Sequence, residues 1–131
     1  MSTSAGVDCS SSDDPAFSYP YGVVVDAVGN VFVTDAADGS SGIDQVWVLP
    51  STAPTIPKLV AGPTTAVAED PWYRDGVGHQ ARFNYLRGVA VVATGTVVVA
   101  DQDNHVVRRI SAIDSAQADP ADTSLVNTFA G

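Results

Sequence analysis

The chain of 131 residues has a single cysteine, Cys9. One thiol closes no internal disulfide and builds no cysteine-based metal site. Its count permits the cytosol without excluding export, so the compartment stays open. Basic residues are also scarce, six against 15 acids, for a net charge of −9. A nucleic-acid phosphate backbone calls for a basic footprint, and none is present, so no nucleic-acid partner is expected. No apolar run reaches the ~18 residues of a membrane-spanning helix, so no membrane partner is expected. Met1–Ser12 is serine-rich without an apolar core, and no signal peptide is expected there. Asp75-Gly76-Val77-Gly78 lacks a phosphate-loop lysine. No Ser/His/Asp or Cys/His pairing stands out, and no cofactor is expected.

What the chain does have is apolar residues, 45% of the total. They fall in short β-branched runs between turn residues. Between Tyr85 and Ile110 the order is Val89-Ala90-Val91-Val92, Ala93-Thr94-Gly95-Thr96, Val97-Val98-Val99-Ala100-Asp101, Gln102-Asp103-Asn104-His105, then Val106-Val107-Arg108-Arg109-Ile110. This predicts three antiparallel strands. Tyr19 to Leu49 repeats the pattern. Gly22 matches Gly88, Gly29 matches Gly95, Asp35 matches Asp101, and Val46 matches Val107. Phe17-Ser18-Tyr19 matches Phe83-Asn84-Tyr85, and an Ala-Gly pair recurs at Ala61-Gly62 and Ala130-Gly131. Two copies of one unit at this spacing mean a propeller, solenoid or array.

The boundaries that follow are a poorly ordered tail (1–16), a first blade (17–62), a connection (63–84) and a second blade (85–131). In the first unit the expected strands are Val23–Asp26, Val31–Thr34, Val46–Leu49 and Lys58–Ala61. The nearly continuous apolar runs of the first two, Val23-Val24-Val25 and Val31-Phe32-Val33, predict burial on both faces. Lys58 reads as a guard on an outer edge. Gly29 is placed at a positive φ in the first hairpin. Asp35–Asp44 is a five-residue insertion relative to the second unit. Gly78–Phe83 is expected to contain one helical turn, and Leu125–Phe129 to be the last strand.

These residues resemble the NHL-repeat family of β-propellers. The matching pieces are Gly88-Val89-Ala90-Val91, Gly95 to Asp101, Asn104-His105, Arg108-Arg109-Ile110, the lead-in Asp75 to Asn84, and the closing Ala130-Gly131. The first unit departs, with Gln45-Val46-Trp47 where the family has Asn-His and a basic residue. The resemblance implies an all-β fold of two four-stranded antiparallel blades, strand one innermost. Propellers have about 4–8 blades. Two therefore stay open, or close through oligomerisation or further blades in a longer chain. An open pair exposes two valine-rich faces.

Antiparallel topology puts the Asp35–Asp44 insertion, the 62–84 connection and the Asp101–His105 turn on one face. Loops on a rigid scaffold are where binding concentrates. The candidate binding residues are Trp72, Tyr73, Asp75, His79, Asp101, Asn104 and His105. Each has a plainer reading. Asp101, Asp103 and Asn104 serve turns before they serve a Ca²⁺ shell. Asp75 lies in a turn joining the blades. His79 and His105 fall short of the three ligands of catalytic zinc. Trp72 and Tyr73 either anchor a partner or cover a blade edge. Asp26 has no acidic counterpart, since Val92 stands at its position, and a turn role is expected. The function expected is a non-enzymatic scaffold for a protein or peptide. The alternative is part of a metal-dependent propeller hydrolase or lyase, which the family resemblance also brings into view.

Overall fold

The computed structural model describes residues 17–36, 43–65 and 72–131. The serine-rich start with Cys9, the middle of the Asp35–Asp44 insertion and residues 66–71 lie outside the described residues.

The described chain is all-β and forms two antiparallel sheets. The first contains β1 (Pro20–Val25), β2 (Val31–Asp35), β3 (Gln45–Leu49) and β4 (Lys58–Ala61), in that spatial order. The second has five strands. β6 (Leu86–Ala93), β7 (Thr96–Asp101), β8 (Val106–Ser111) and β9 (Leu125–Ala130) repeat the first sheet, and β5 (Gly76–Val77) adds to the edge beyond β9. The extra strand comes from the connection between the sheets, and its two residues carry no periodic signal. The sheets do not close on each other. They meet side by side, with inner strand β1 against inner strand β6.

The repeat extends to the ladder registers. Pro20 pairs with Asp35 as Leu86 pairs with Asp101, and Val33 pairs with Trp47 as Val99 pairs with Arg108. Both outer hairpins slip at the same place, after Val46 and after Val107. Gly29 (φ 96°) and Gly95 (φ 71°) close equivalent inner hairpins in the left-handed region that favours glycine. The expected helical turn is a 3-10 turn over Gly78–Gln80.

The core lies in the seam. From the first sheet come Phe32, Val46, Val48, Val60 and Ala61, and from the second Leu86, Val97, Val99, Ile110 and Val126. Polar groups stitch the same seam. Thr34 Oγ1 accepts from Gly22 N and donates to the Arg87 carbonyl at 2.6 Å. Leu86 N donates to Asp44 Oδ2, and Ser124 Oγ donates to the Val60 carbonyl at 2.6 Å. Lys58 is on an edge strand, but it does more than guard it. Its ammonium donates to the Ser115 and Gln117 carbonyls of the neighbouring sheet, at 3.0 and 2.7 Å.

Burial on both faces holds for β2 but not for β1, where Tyr21, Val23 and Val25 are exposed. A side chain alternates faces along a strand, and only the face carrying Gly22 and Val24 has a neighbouring sheet to cover it.

Candidate functional site: the loop face around Arg108

Phe83, Asp101 and Arg108 converge where the inter-sheet connection meets the β7–β8 turn. Arg108 is on β8, opposite Val99 on the face turned to the first sheet, and is wholly buried. Its guanidinium has five N–H donors, and each has an acceptor. Nη1 donates to Asp101 Oδ2 (2.8 Å) and the Arg82 carbonyl (2.9 Å). Nη2 donates to the Arg74 carbonyl (2.7 Å) and Asp75 Oδ1 (2.7 Å), and Nε donates to Asp75 Oδ1 (3.2 Å). The guanidinium carbon lies 4.7 Å from the Tyr73 ring centroid and 5.0 Å from that of Phe83. One side chain thus pins the connection, at Tyr73, Arg74, Asp75 and Arg82, to the second sheet.

Asp101 is equally buried. Besides Arg108 it accepts from Asn84 N (2.7 Å) and Asn104 Nδ2 (2.8 Å). Asn104 Nδ2 also donates to the Trp72 carbonyl. Asp75 further accepts from Thr128 N, and the Tyr73 hydroxyl is hydrogen-bonded to Thr128 Oγ1. Trp72, Tyr73, Asp75, Asp101 and Asn104 therefore sit together around Arg108. Within that group Trp72, Tyr73 and Asp75 stay open to solvent, the two aromatics at 49% and 43%. His105 ends the same turn at φ 59° and is exposed beside a hollow bordered by Val107 and Gly131.

His79 lies apart, in the 3-10 turn Gly78–Gln80. Its Nε2 is 2.9 Å from Asp119 Oδ2 and 3.2 Å from Asp122 Oδ1. Both aspartates flank a second 3-10 turn, Pro120–Asp122, which Asp119 caps through Ala121 N. His79 and Asp119 border a cavity of about 760 Å³, walled also by Trp47, Pro54 and Lys58. The three side chains have the donor types of a metal site. Sequence reasoning weighed His79 but missed both aspartates, which lie some forty residues downstream and join it only through the seam.

The first sheet performs the same construction with different chemistry. Asp35 accepts from Ser18 N and Tyr19 N, as Asp101 does from Asn84 N. Trp47 stands where Arg108 stands, and Phe17 meets it edge-on at 6.1 Å, as Phe83 meets Arg108. The indole carries no charge, so Asp35 lacks the cation that Asp101 enjoys. Burial pushes the Asp35 carboxyl above its ordinary value of 3.8, and the two backbone N–H bonds only partly oppose this. The folded state then holds the proton more tightly than the unfolded chain, so Asp35's contribution to stability is fullest below about 3.8 and is lost as pH rises through the raised value. In Asp35→Asn that loss is absent. The melting temperature of the variant, relative to the parent, should rise as pH goes from about 3 to about 7, and a pH-independent difference would contradict it. Asp26 has the opposite sign. Its partial burial works to raise it, but bonds from Asn30 Nδ2, Asn30 N and Val28 N together hold it below 3.8. Its contribution is present above 3.8 and is lost as pH falls through the lowered value. The three bonds give Asp26 the turn role that its unrepeated position implied.

Comparison with known proteins bears on the second sheet. No curated protein matches the chain. Residues 83–110 match the NHL repeat. That span begins at Phe83, whose ring faces Arg108, and runs through β6, β7 and the Asp101 turn to β8, ending at the buried Ile110. With the matched span folded as the inner three strands of a propeller-type blade, and a second copy of the unit beside it, the chain contains one NHL repeat within an open pair of antiparallel sheets that is consistent with part of a β-propeller.

Proposed function

We propose that the chain is a non-enzymatic binding scaffold that takes a protein or peptide on the loop face. The observation that carries this reading is the exposed aromatic pair Trp72 and Tyr73, held in place from beneath. Arg108 lies against the Tyr73 ring, Thr128 holds the Tyr73 hydroxyl, and Asn104 holds the Trp72 backbone. Aromatic side chains fixed before binding offer large contact area at low entropic cost, which is the character of an interface anchor. Asp75, Asp101 and Asn104 act in this reading as the mount, and His105 borders it. Peptides selected from a random display library on the intact chain should bind Trp72→Ala at least tenfold more weakly. The same peptides should bind a surface variant at the opposite end of the sheet, Thr94→Ala in the β6–β7 turn, unchanged. Undiminished binding by Trp72→Ala would remove the proposal's basis.

A second reading, part of a metal-dependent hydrolase or lyase, has one observation in its favour: His79, Asp119 and Asp122 beside the 760 Å³ cavity. Two carboxylates within 3.2 Å of one ring nitrogen also make a hydrogen-bonded cluster that holds the two 3-10 turns together with no metal present. Stoichiometric zinc in protein purified without chelator, lost in His79→Ala, would favour this reading over the scaffold.

A further inference from the structure

The geometry points to a second copy of this chain as the occupant of both open sheet faces, in a head-to-tail contact that repeats the seam between its own two sheets. The seam joins two different surfaces. The first sheet gives the face bearing Gly22, Val24, Phe32, Val46 and Val60. The second gives the face bearing Val89, Val91, Val97, Val99 and Ile110. By the internal repeat, each sheet carries both surfaces. The second sheet's open face is therefore a copy of the first sheet's covered one, and the converse holds at the other end.

Several of the equivalents remain apolar where they are uncovered, while buried Val48 gives way to the exposed Arg109. Val60 is 0% exposed in the seam, and Phe129, its counterpart in the repeat, is 58% exposed. Val46 corresponds to the partly open Val107, and Val24 to Ala90. At the other end, Val23 is 67% exposed where its counterpart Val89 packs on the core, and Val25 stands to Val91 in the same way. Glycine spacing agrees. A Cβ on Gly22 would lie 2.7 Å from the Arg87 carbonyl, because the neighbouring inner strand passes that close. A Cβ on Gly88, the equivalent position, meets nothing within 4 Å. Gly88 thus keeps room for the close approach of a neighbouring inner strand.

The polar stitches change in step on both sides. In the seam, Asp44 accepts from Leu86 N. Their counterparts are His105 and Pro20, and proline has no N–H to satisfy. Thr34, which bonds across the seam, corresponds to Ala100, which requires nothing. Lys58, which reaches carbonyls of the neighbouring sheet's outer loop, corresponds to Asn127, with Arg109 beside it on β8. Both offer donors to the carbonyls of the 50–57 loop in the next copy. A heterologous contact of this kind closes into a ring when its rotation divides the circle. For propellers of about 4–8 blades this means about two to four chains.

Val23 and Phe129 are exposed in the single chain, so Val23→Asp and Phe129→Glu should leave its fold intact by circular dichroism. Light scattering on a sizing column should find the parent as one discrete species of two to four chain masses and each variant as a single chain. Mixing the two variants should give a two-chain species and nothing larger, since each keeps the surface that the other has lost. A folded parent that stays at one chain mass, an open-ended polymer, or variants that fail to pair on mixing would each overturn the proposal.

Discussion

Arg108→Met should destabilise the chain by about 3–5 kcal/mol, the cost of stripping one partner from a buried charge pair. For a chain of this size that is a fall of roughly 10–20 °C in melting temperature, and it is a large share of the ~5–15 kcal/mol that holds a typical domain. Two deficits combine. The Asp101 carboxyl is left in a wholly buried place with only two of its donors. The Arg74 and Arg82 carbonyls lose the Nη donors that tie the connection down. Arg108→Lys should recover only part of the loss. An ammonium has three donors on a point charge, against five in a planar fork, so at least one of the four acceptor atoms goes without. Asp101→Asn, alone and with Arg108→Met, completes a double-mutant cycle by chemical denaturation. Coupling above about 1 kcal/mol is expected for groups in direct contact, and simple additivity would show that the pair does not act as a unit.

The same substitution separates fold from binding. Tyr73 rests on Arg108, so Arg108→Met should loosen the aromatic pair even at temperatures where the sheets persist. Near-ultraviolet dichroism would then fall before the far-ultraviolet strand signal does. Coincident loss of both signals would mean that the connection and the sheet unfold as one body.

Arg108 also marks where the amino-acid sequence stops being legible. The strands could be read because β-branched runs, turn glycines and the repeat all agree on where each begins and ends. The loop face could be read because antiparallel strands alternate direction, which places the 72–84 segment and the Asp101–His105 turn at one end. Arg108 carries no such sign. It is a charged residue next to another, Arg109, on a strand taken as outer, and Arg109 is indeed exposed. Only the pairing of Arg108 with Val99 turns it toward the first sheet, and only the connection closing over it removes it from water. One hint was present. Asp101 lies seven residues upstream, across a short turn between two paired strands, which brings the two side chains to the same face. The comparable cluster at His79 gave no hint at all, because Asp119 and Asp122 reach it from the far end of the second repeat. The β5 strand is two residues long, too short for any period to register.

Gly78→Ala should be nearly as costly as the loss of Arg108, and for a purely steric reason. A Cβ there would lie 2.5 Å from the Val60 carbonyl, 2.5 Å from Ser124 Oγ and 2.7 Å from the Ala121 carbonyl. The backbone around it is already engaged. Gly78 N donates to the Ser124 carbonyl, and the Gly78 carbonyl accepts from Gly62 N at 2.9 Å. One methyl group must therefore push apart both ends of the Ser124–Val60 hydrogen bond, which crosses the seam between the sheets. Overpacking of this kind costs about 1–3 kcal/mol, and a buried acceptor left unpaired costs about 1–3 kcal/mol more. Gly88→Ala is the control. Its Cβ meets nothing in the single chain, and alanine is favoured over glycine within a strand by roughly 0.5–1 kcal/mol. Measured by denaturation in a Phe129→Glu background, which keeps the chain single, Gly78→Ala should lose stability and Gly88→Ala should hold or gain it. Equal effects at the two glycines would mean that the seam yields to a methyl group, and that its close backbone approach contributes little to joining the sheets.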